Sequence, residues 1–441
     1  MGTEIARIGE IIKQHPNEKL ECLAHLINVK TLEQSHKKAL GKKATGIDGV
    51  TKGKYQENLE ENLKDLVARM KRQTYKPQPV RRVMIPKAGS NKMRPLGIPA
   101  YEDKLVQDVL SQILTQIFEP IFLESSYGFR PNRSCHMALA GLERILHTNK
   151  TNYIVDADIK GFFDNVNHNL IIEMVETRIK DPSIIRLIKR FLKAGVMHKG
   201  KVEDTDKGTP QGGLISPILA NLYLHYTLDL WFEKKIKREF KGEIAMVRYA
   251  DDFVCCFENK EEAEKFYDML KERLAKMGLE IAEEKTKIIE FGRFAGTDIK
   301  RRTNGKEKPK TFDFLGFTHY CSKDKTGKFR TKRKTSKKKL KAKVKAMMEW
   351  VKENMHRPVE NIIKRLNIKL IGHYNYYGIT DNYETIRVFY QLARRILKTI
   401  LSRRSQKGII TWKNFEKIIK ENPIAEPKIK IDIVEMALNM T

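Results

Sequence analysis

The spacing of apolar positions changes repeatedly along this chain, and each period predicts an element. Residues 54–72 place Tyr55, Leu59, Leu63, Leu66 and Met70 on one helical face. In "TYKPQPVRRVMIPKAGSNKMRPLGIP" the prolines exclude a long helix, so "RRVMIPK" and "MRPLGIP" read as short strands joined by the "AGSN" turn. Helical spacing returns at 102–118, through Leu105, Val106, Val109, Leu110, Ile113, Leu114 and Ile117, and again in "HMALAGLERILH". "NYIVDADIKGFFDNVNH" opens as a buried strand and then turns, residues 169–192 are helical, and "GTPQGGLISPILANLYLHYTLDLWFEKKIK" is a Gly/Pro loop entering a long helix. "IAMVRYADDFVCCF" reads as strand, tight turn, strand. An amphipathic helix, "KEEAEKFYDMLKERLAKMG", and a strand, "LEIAEEKTKIIEF", follow. This order predicts an α+β sheet with helices on one side. Residues 336–401 read as all helix. One stripe there is Leu340, Val344, Met347 and Val351, and a second is Ile386, Phe389, Ala393, Ile396 and Ile400. The last forty residues are weakly patterned.

Composition narrows the partners. The 441 residues carry a formal net charge of +30, which predicts a polyanion: nucleic acid or an anionic membrane surface. No apolar run approaches the roughly 20 residues of a bilayer span, and the N-terminus lacks a basic start followed by an apolar core. The five cysteines have no CxxC spacing, and Cys255 and Cys256 would face opposite sides of a strand. That pattern predicts a reduced intracellular chain without a zinc cage, so nucleic acid is favoured. Residues 293–345 hold 20 Lys or Arg against four Asp or Glu, more than half of the chain's excess, interrupted by the strand-like "FDFLGFTHY".

Against that charge, Asp251 and Asp252 stand side by side in a turn between buried strands. Adjacent carboxylates repel, and a tight turn keeps them close. A plain surface turn is one explanation. A divalent metal site is another, since hard cations take carboxylate oxygens and keep positions for water or phosphate. Asp158 ends the other buried strand and would meet Asp251 if the two strands are neighbours. Asp156 shares its strand parity, and Asp164 is a further local rival. Two ions about 3.5–4 Å apart could activate a hydroxyl and stabilise a leaving pyrophosphate.

"YADD", "DIKGFFD" and "GTPQGGLISPILANLYL" resemble the signature blocks of reverse transcriptases. "GIDGV", "YKPQPVRRVMIPK", "RPLGIP", "SYGFRPNRSCHMAL", "EKTKI" and "FDFLGF" follow the order of the bacterial group II intron-encoded members. "RLNIKLIGHYNYYG" resembles the start of their thumb or maturase domain X. The likeness runs from about residue 40 to about 400.

The resemblance implies a right-hand polymerase: reverse-transcriptase fingers and palm, with an all-helical thumb. It divides the chain into 1–150 (N-terminal extension and fingers), 151–320 (palm with inserted fingers helices and a basic insertion at 293–311), 321–402 (basic linker and helical thumb) and 403–441 (a short tail, a candidate DNA-binding segment). It assigns Asp158, Asp251 and Asp252 as catalytic ligands of two Mg2+ ions, with Mn2+ able to substitute. Lys87 and Arg94 would meet the incoming triphosphate, and Gln211 would pack by the nucleotide, with Gly212 and Gly213 admitting close backbone approach. One of Phe162 and Phe163 would be core and the other the gate against a ribose 2′-OH. Ala250 would lie near the primer end. Lys285 is a candidate proton donor to pyrophosphate, with Lys287 its chemical equal. Phe314, Leu315 and Gly316 would form the primer grip. Arg130 would contact template or fix the fingers, unless it is a buried structural arginine. Arg330, Lys332, Arg333 and Lys337 would contact template or RNA backbone. His373, Tyr374, Tyr376 and Tyr377 form an aromatic cluster, most of it thumb core.

The implied activity is copying intron RNA into cDNA while binding that RNA to assist splicing and mobility. RNA template, intron RNA, a DNA primer or target and dNTPs are the partners, without a membrane. The implied location is the bacterial cytoplasm, at the nucleoid when acting on DNA. The Cys pairs and His of the family's zinc-dependent endonuclease are missing, so none is expected. Two alternatives are a splicing cofactor with a vestigial polymerase site and a domesticated reverse transcriptase serving repair or phage defence.

Overall fold

The structure is a computed structural model that describes residues 4–15, 18–86, 93–198, 201–203, 207–209, 212–295, 309–404 and 410–440. Its eleven described strands are β1 (Val80–Pro86), β2 (Met93–Ile98), β3 (Tyr153–Asp158), β4 (Val196–His198), β5 (Lys201–Glu203), β6 (Ile244–Tyr249), β7 (Asp252–Phe257), β8 (Lys287–Glu290), β9 (Phe312–Phe314), β10 (Phe317–Lys323) and β11 (Phe329–Thr335). They form three sheets, ordered β2-β1-β4-β5, β6-β7-β3-β8 and β11-β10-β9.

The β6-β7-β3-β8 sheet is central and wholly antiparallel. Both of its faces are covered, which corrects the expectation of helices on one side. Val155, Ala157, Phe253, Cys255 and Phe257 join a first core with the helices Tyr101–Phe118, His168–Glu176, Pro182–Leu192 and Lys260–Lys276. Ile154, Val254 and Cys256 join a second core with helix Cys135–Thr148 and the C-terminal helices. Alternating side chains of one strand therefore enter different cores. That is why β7 reads as a continuous apolar run after Asp252 rather than an alternating one.

Several boundaries differ from expectation. The 54–72 helix divides into Lys52–Gln56 and Leu59–Lys71. The 169–192 helix divides at the Asp181 cap into His168–Glu176 and Pro182–Leu192. "LEIAEEKTKIIEF" is a strand only over Lys287–Glu290. The segment expected as a basic linker after 321 is a hairpin, β10 with β11, paired from Phe317↔Thr335 to Lys323↔Phe329. Helices Lys337–Glu353, Val359–Tyr377 and Tyr383–Ser402 follow.

The weakly patterned end is folded too. Helices Trp412–Glu421 and Ile433–Leu438 bury Phe415, Ile433 and Ala437 in the second core, and the segment between them adds Ile424. The Ile433–Leu438 helix packs on Cys135–Thr148. No helix among the described residues is long and apolar enough to cross a membrane.

Candidate functional site

In the central sheet, β3 and β7 pair so that Asp158 lies directly opposite Asp252. Period-two alternation puts Asp156 and Asp158 on the face of Ile154, and Asp252 on the face of Val254. Tyr249 pairs with Asp252, so Ala250 and Asp251 alone form the hairpin loop. Ala250 has φ of 57°, the left-handed conformation that a two-residue hairpin demands.

The electrostatics follow from this crowding. Asp252 is pushed up to about 7, first by burial and then by the charges of Asp156, Asp251 and Asp158; the Leu315 amide, donating to its carboxylate, opposes the shift. Burial likewise raises Asp156 to about 7, with Asp313 and Asp158 adding to it and Lys287 opposing. The Lys285 ammonium pairs with the Asp158 carboxylate. When ionised, these are acceptor-only oxygens gathered from adjacent strands, the donor set a hard divalent cation prefers, and a positive side chain already approaches them. The residues therefore fit Mg2+ by their chemistry. Among the described residues, no three His, Cys, Asp or Glu side chains are already arranged around a metal position.

Behind the turn stands Arg248, fully buried in a strand that otherwise reads as apolar. Its Nε donates to Asp229 Oδ1 at 2.7 Å, and its Nη1 to Asn221 Oδ1 at 3.1 Å and to the Ala250 carbonyl at 3.0 Å. Asp229 is equally buried. Asn221 donates to the Gly128 carbonyl at 2.6 Å. A Cβ on Gly128 would stand 2.2 Å from the Ala250 nitrogen, so only glycine permits this approach. Arg248, Asp229, Asn221 and Gly128 were not singled out by sequence. The available signal was a charge inside a buried strand, which requires a partner; that partner lies 19 residues earlier on a helix.

Other expected residues fall in several places. Lys87 and Gln211 lie outside the described residues, as do the "AGSN" turn and most of the basic insertion. Arg94 is exposed on β2. Gly212 approaches the protein's own backbone: a Cβ there would meet the Gly97 carbonyl at 2.4 Å. Gly212 thus packs closely on β2, and Thr209 N–H donates to the Phe163 carbonyl at 2.7 Å. Phe162 is buried, tilted against Tyr223, whereas Phe163 is half-buried. Lys285 touches Asp158, and Lys287 acts on Asp156 instead.

Leu315 and Gly316 form the tight β9–β10 turn, with φ of 49° and 80°. Phe314 is fully buried behind it, which corrects its placement at the primer surface. Arg130 is the buried structural alternative: it donates to the Leu123 and Ser126 carbonyls at 2.6 and 2.8 Å and pairs with Glu119 at 2.8 Å. Arg333, expected on RNA, is fully buried and paired with Glu143. Arg330 is half-buried against Asp381 at 3.1 Å. Lys332 is half-buried, and Lys337 is exposed.

Comparison with known proteins identifies relatives of this chain. The family profile "Reverse transcriptase (RNA-dependent DNA polymerase)" matches residues 85–319. "Group II intron, maturase-specific domain" matches residues 337–418. The group II intron-encoded protein LtrA of Lactococcus lactis subsp. cremoris is 33% identical, over 80% of this chain and 69% of its own length. Protein YkfC of Escherichia coli (strain K12) is 35% identical over 48% of this chain and 63% of its own. A 91 kDa protein in the cob intron of Schizosaccharomyces pombe is 40% identical over 42% of this chain and 23% of its own.

Proposed function

The chain belongs to the group II intron reverse transcriptase and maturase family, and on that premise we propose that it is an RNA-directed DNA polymerase that copies intron RNA into cDNA and binds that RNA to assist splicing and mobility. The observation that carries the reading is the register of β3 and β7, which sets Asp158 opposite Asp252 beside Asp251. In the right-hand arrangement, the N-terminal helices and the β1–β2 hairpin are fingers, the central sheet is the palm, and the helices after Lys337 are the thumb.

Asp158, Asp251 and Asp252 would hold two Mg2+ ions, which when bound activate the primer 3′-hydroxyl and stabilise the leaving pyrophosphate. The chain's own residues do the positioning. Arg248 and Gly128 hold the Ala250–Asp251 turn in one conformation, so the backbone that carries Asp251 and Asp252 is set in advance and side-chain rotation alone remains. Arg94, with Lys87, grips the incoming triphosphate. The family resemblance gives Gln211 a role at the nucleotide, and Phe163, the less buried of its pair, would exclude a 2′-hydroxyl. Ala250 leaves room for the primer end. Lys285, held beside Asp158, supplies a proton to pyrophosphate. Leu315 and Gly316 meet the primer backbone. Lys337, Lys332 and Arg330 line the approach for RNA, where neutralised phosphates release counterions.

Primer extension on poly(rA)/oligo(dT), run beside an intron splicing assay, tests the reading. Wild type should synthesise DNA, and Asp251→Ala or Asp252→Ala should abolish synthesis while RNA binding persists. A wild type that splices without synthesising would support the splicing-cofactor alternative. Synthesis without selective binding of an intron RNA would support a domesticated role.

A further inference from the structure

The turn beside the catalytic carboxylates is tied to the C-terminal helical region through one residue. The Leu315 amide faces the Asp252 carboxylate, and the Leu315 carbonyl accepts a hydrogen bond from the Tyr376 hydroxyl at 2.8 Å. Tyr376 lies in the last turn of helix Val359–Tyr377. Its ring stacks on Phe317 with centroids 5.8 Å apart, and His136 Nε2 lies 2.9 Å from its carbonyl. On the other side, Ser336 N–H donates to the Gly316 carbonyl at 2.9 Å. With both φ angles positive, the two-residue turn has little freedom of its own. The hydroxyl therefore ties this stiff turn, and the residue-315 amide with it, to the helix.

We propose that Tyr376 is a positioning residue for Asp252, acting through Leu315, so that the orientation of a metal-holding carboxylate is set by the helix belonging to the maturase domain. Its consequence for synthesis rests on the polymerase reading above; the linkage itself rests on the Tyr376–Leu315 hydrogen bond and on the Leu315 amide lying beside Asp252. A tilt of helix Val359–Tyr377 displaces residue 315 and the amide facing Asp252. RNA engaged along that helix can thus alter the carboxylate without touching it.

The neighbouring Tyr374 supplies a control. It lies in the same helix, and its hydroxyl donates at 3.1 Å to the Ala425 carbonyl, away from the turn. Tyr376→Phe and Tyr374→Phe each delete one hydroxyl and keep a ring. Three readouts on the full chain separate them: Mn2+ binding to the free protein by paramagnetic titration, kcat and KM for dTTP, and the Kd for template–primer. Tyr376→Phe should weaken Mn2+ binding several-fold and lower kcat about five-fold, the size of one hydrogen bond. KM and Kd should stay near wild type, and Tyr374→Phe should match wild type throughout. Wild-type Mn2+ binding and kcat in Tyr376→Phe, or equal losses in Tyr374→Phe, would overturn the proposal. If wild type makes no DNA, the polymerase reading fails, and the Mn2+ comparison still decides this one.

Discussion

Two buried arginines show how differently one side chain serves two regions of this molecule. Arg248, behind the acidic turn, has a partner on every guanidinium nitrogen: Asp229, Asn221 and the Ala250 carbonyl. Arg333, on the β10–β11 hairpin, pairs through Nη2 with Glu143, while its Nε and Nη1 find no partner among the described residues. His319 lies buried close by with both ring nitrogens also unpartnered, and burial together with the Arg333 charge drives its pKa well below the ordinary value. A satisfied buried ion holds one geometry, whereas a partly satisfied one is costly and loosely specified. The arginine behind the acidic turn is thus fully paired, and the one at the junction between helix Cys135–Thr148 and the hairpin is not.

Removing Arg248 should have the largest effect. Arg248→Met strands Asp229 as a buried unpaired charge and should cost about 3–5 kcal/mol of unfolding free energy, read from urea titration. A loss below about 1 kcal/mol would erase the contrast between the two sites.

Gly128→Ala probes the same shell from the backbone side. The added methyl must displace Ala250, so stability should fall by about 1–3 kcal/mol. DNA synthesis should fall further than the folded fraction does. Loss of activity only in proportion to folding would mean that the turn tolerates displacement.

At the junction, the sharper measurement is pH. His319 is neutral when folded and free to protonate when unfolded, so its contribution is present above the ordinary value of 6.5 and is lost as pH falls below it. Between pH 7.5 and 5.5, wild type should lose about 1 kcal/mol more stability than His319→Leu. Equal acid sensitivity would show that the ring is not kept neutral.

The smallest change is expected from replacing the junction pair outright. Glu143→Leu with Arg333→Met removes the ion pair together with its two partnerless nitrogens. Unfolding free energy should hold or rise, as for other buried pairs replaced by apolar residues. A fall of about 3 kcal/mol or more would show that the pair is fully satisfied in solution.

What the sequence by itself determined is whatever depends on neighbours along the chain. Period-two alternation placed Asp156 and Asp158 on one face of their strand, and the strand, tight turn, strand pattern located the turn at the Asp251–Asp252 pair; that Asp252 begins β7 and lies opposite Asp158 came only from the register. Helical spacing located helix Tyr101–Phe118, and the two stripes located the helices around Met347 and Phe389. Cys255 and Cys256 enter opposite cores as their adjacency requires.

Only the tertiary structure decided which charges are buried. Arg333 and Lys337 sit in one basic run, yet Arg333 is interior, where Glu143, 190 residues away, meets it, while Lys337 stays exposed. The same holds for Phe314 behind its turn, for Arg130 caged by carbonyls, and for a C-terminal segment whose weak pattern hides a dock against Cys135–Thr148. Desolvating a charge or an aromatic ring depends on the surface that closes over it, and distant segments build that surface.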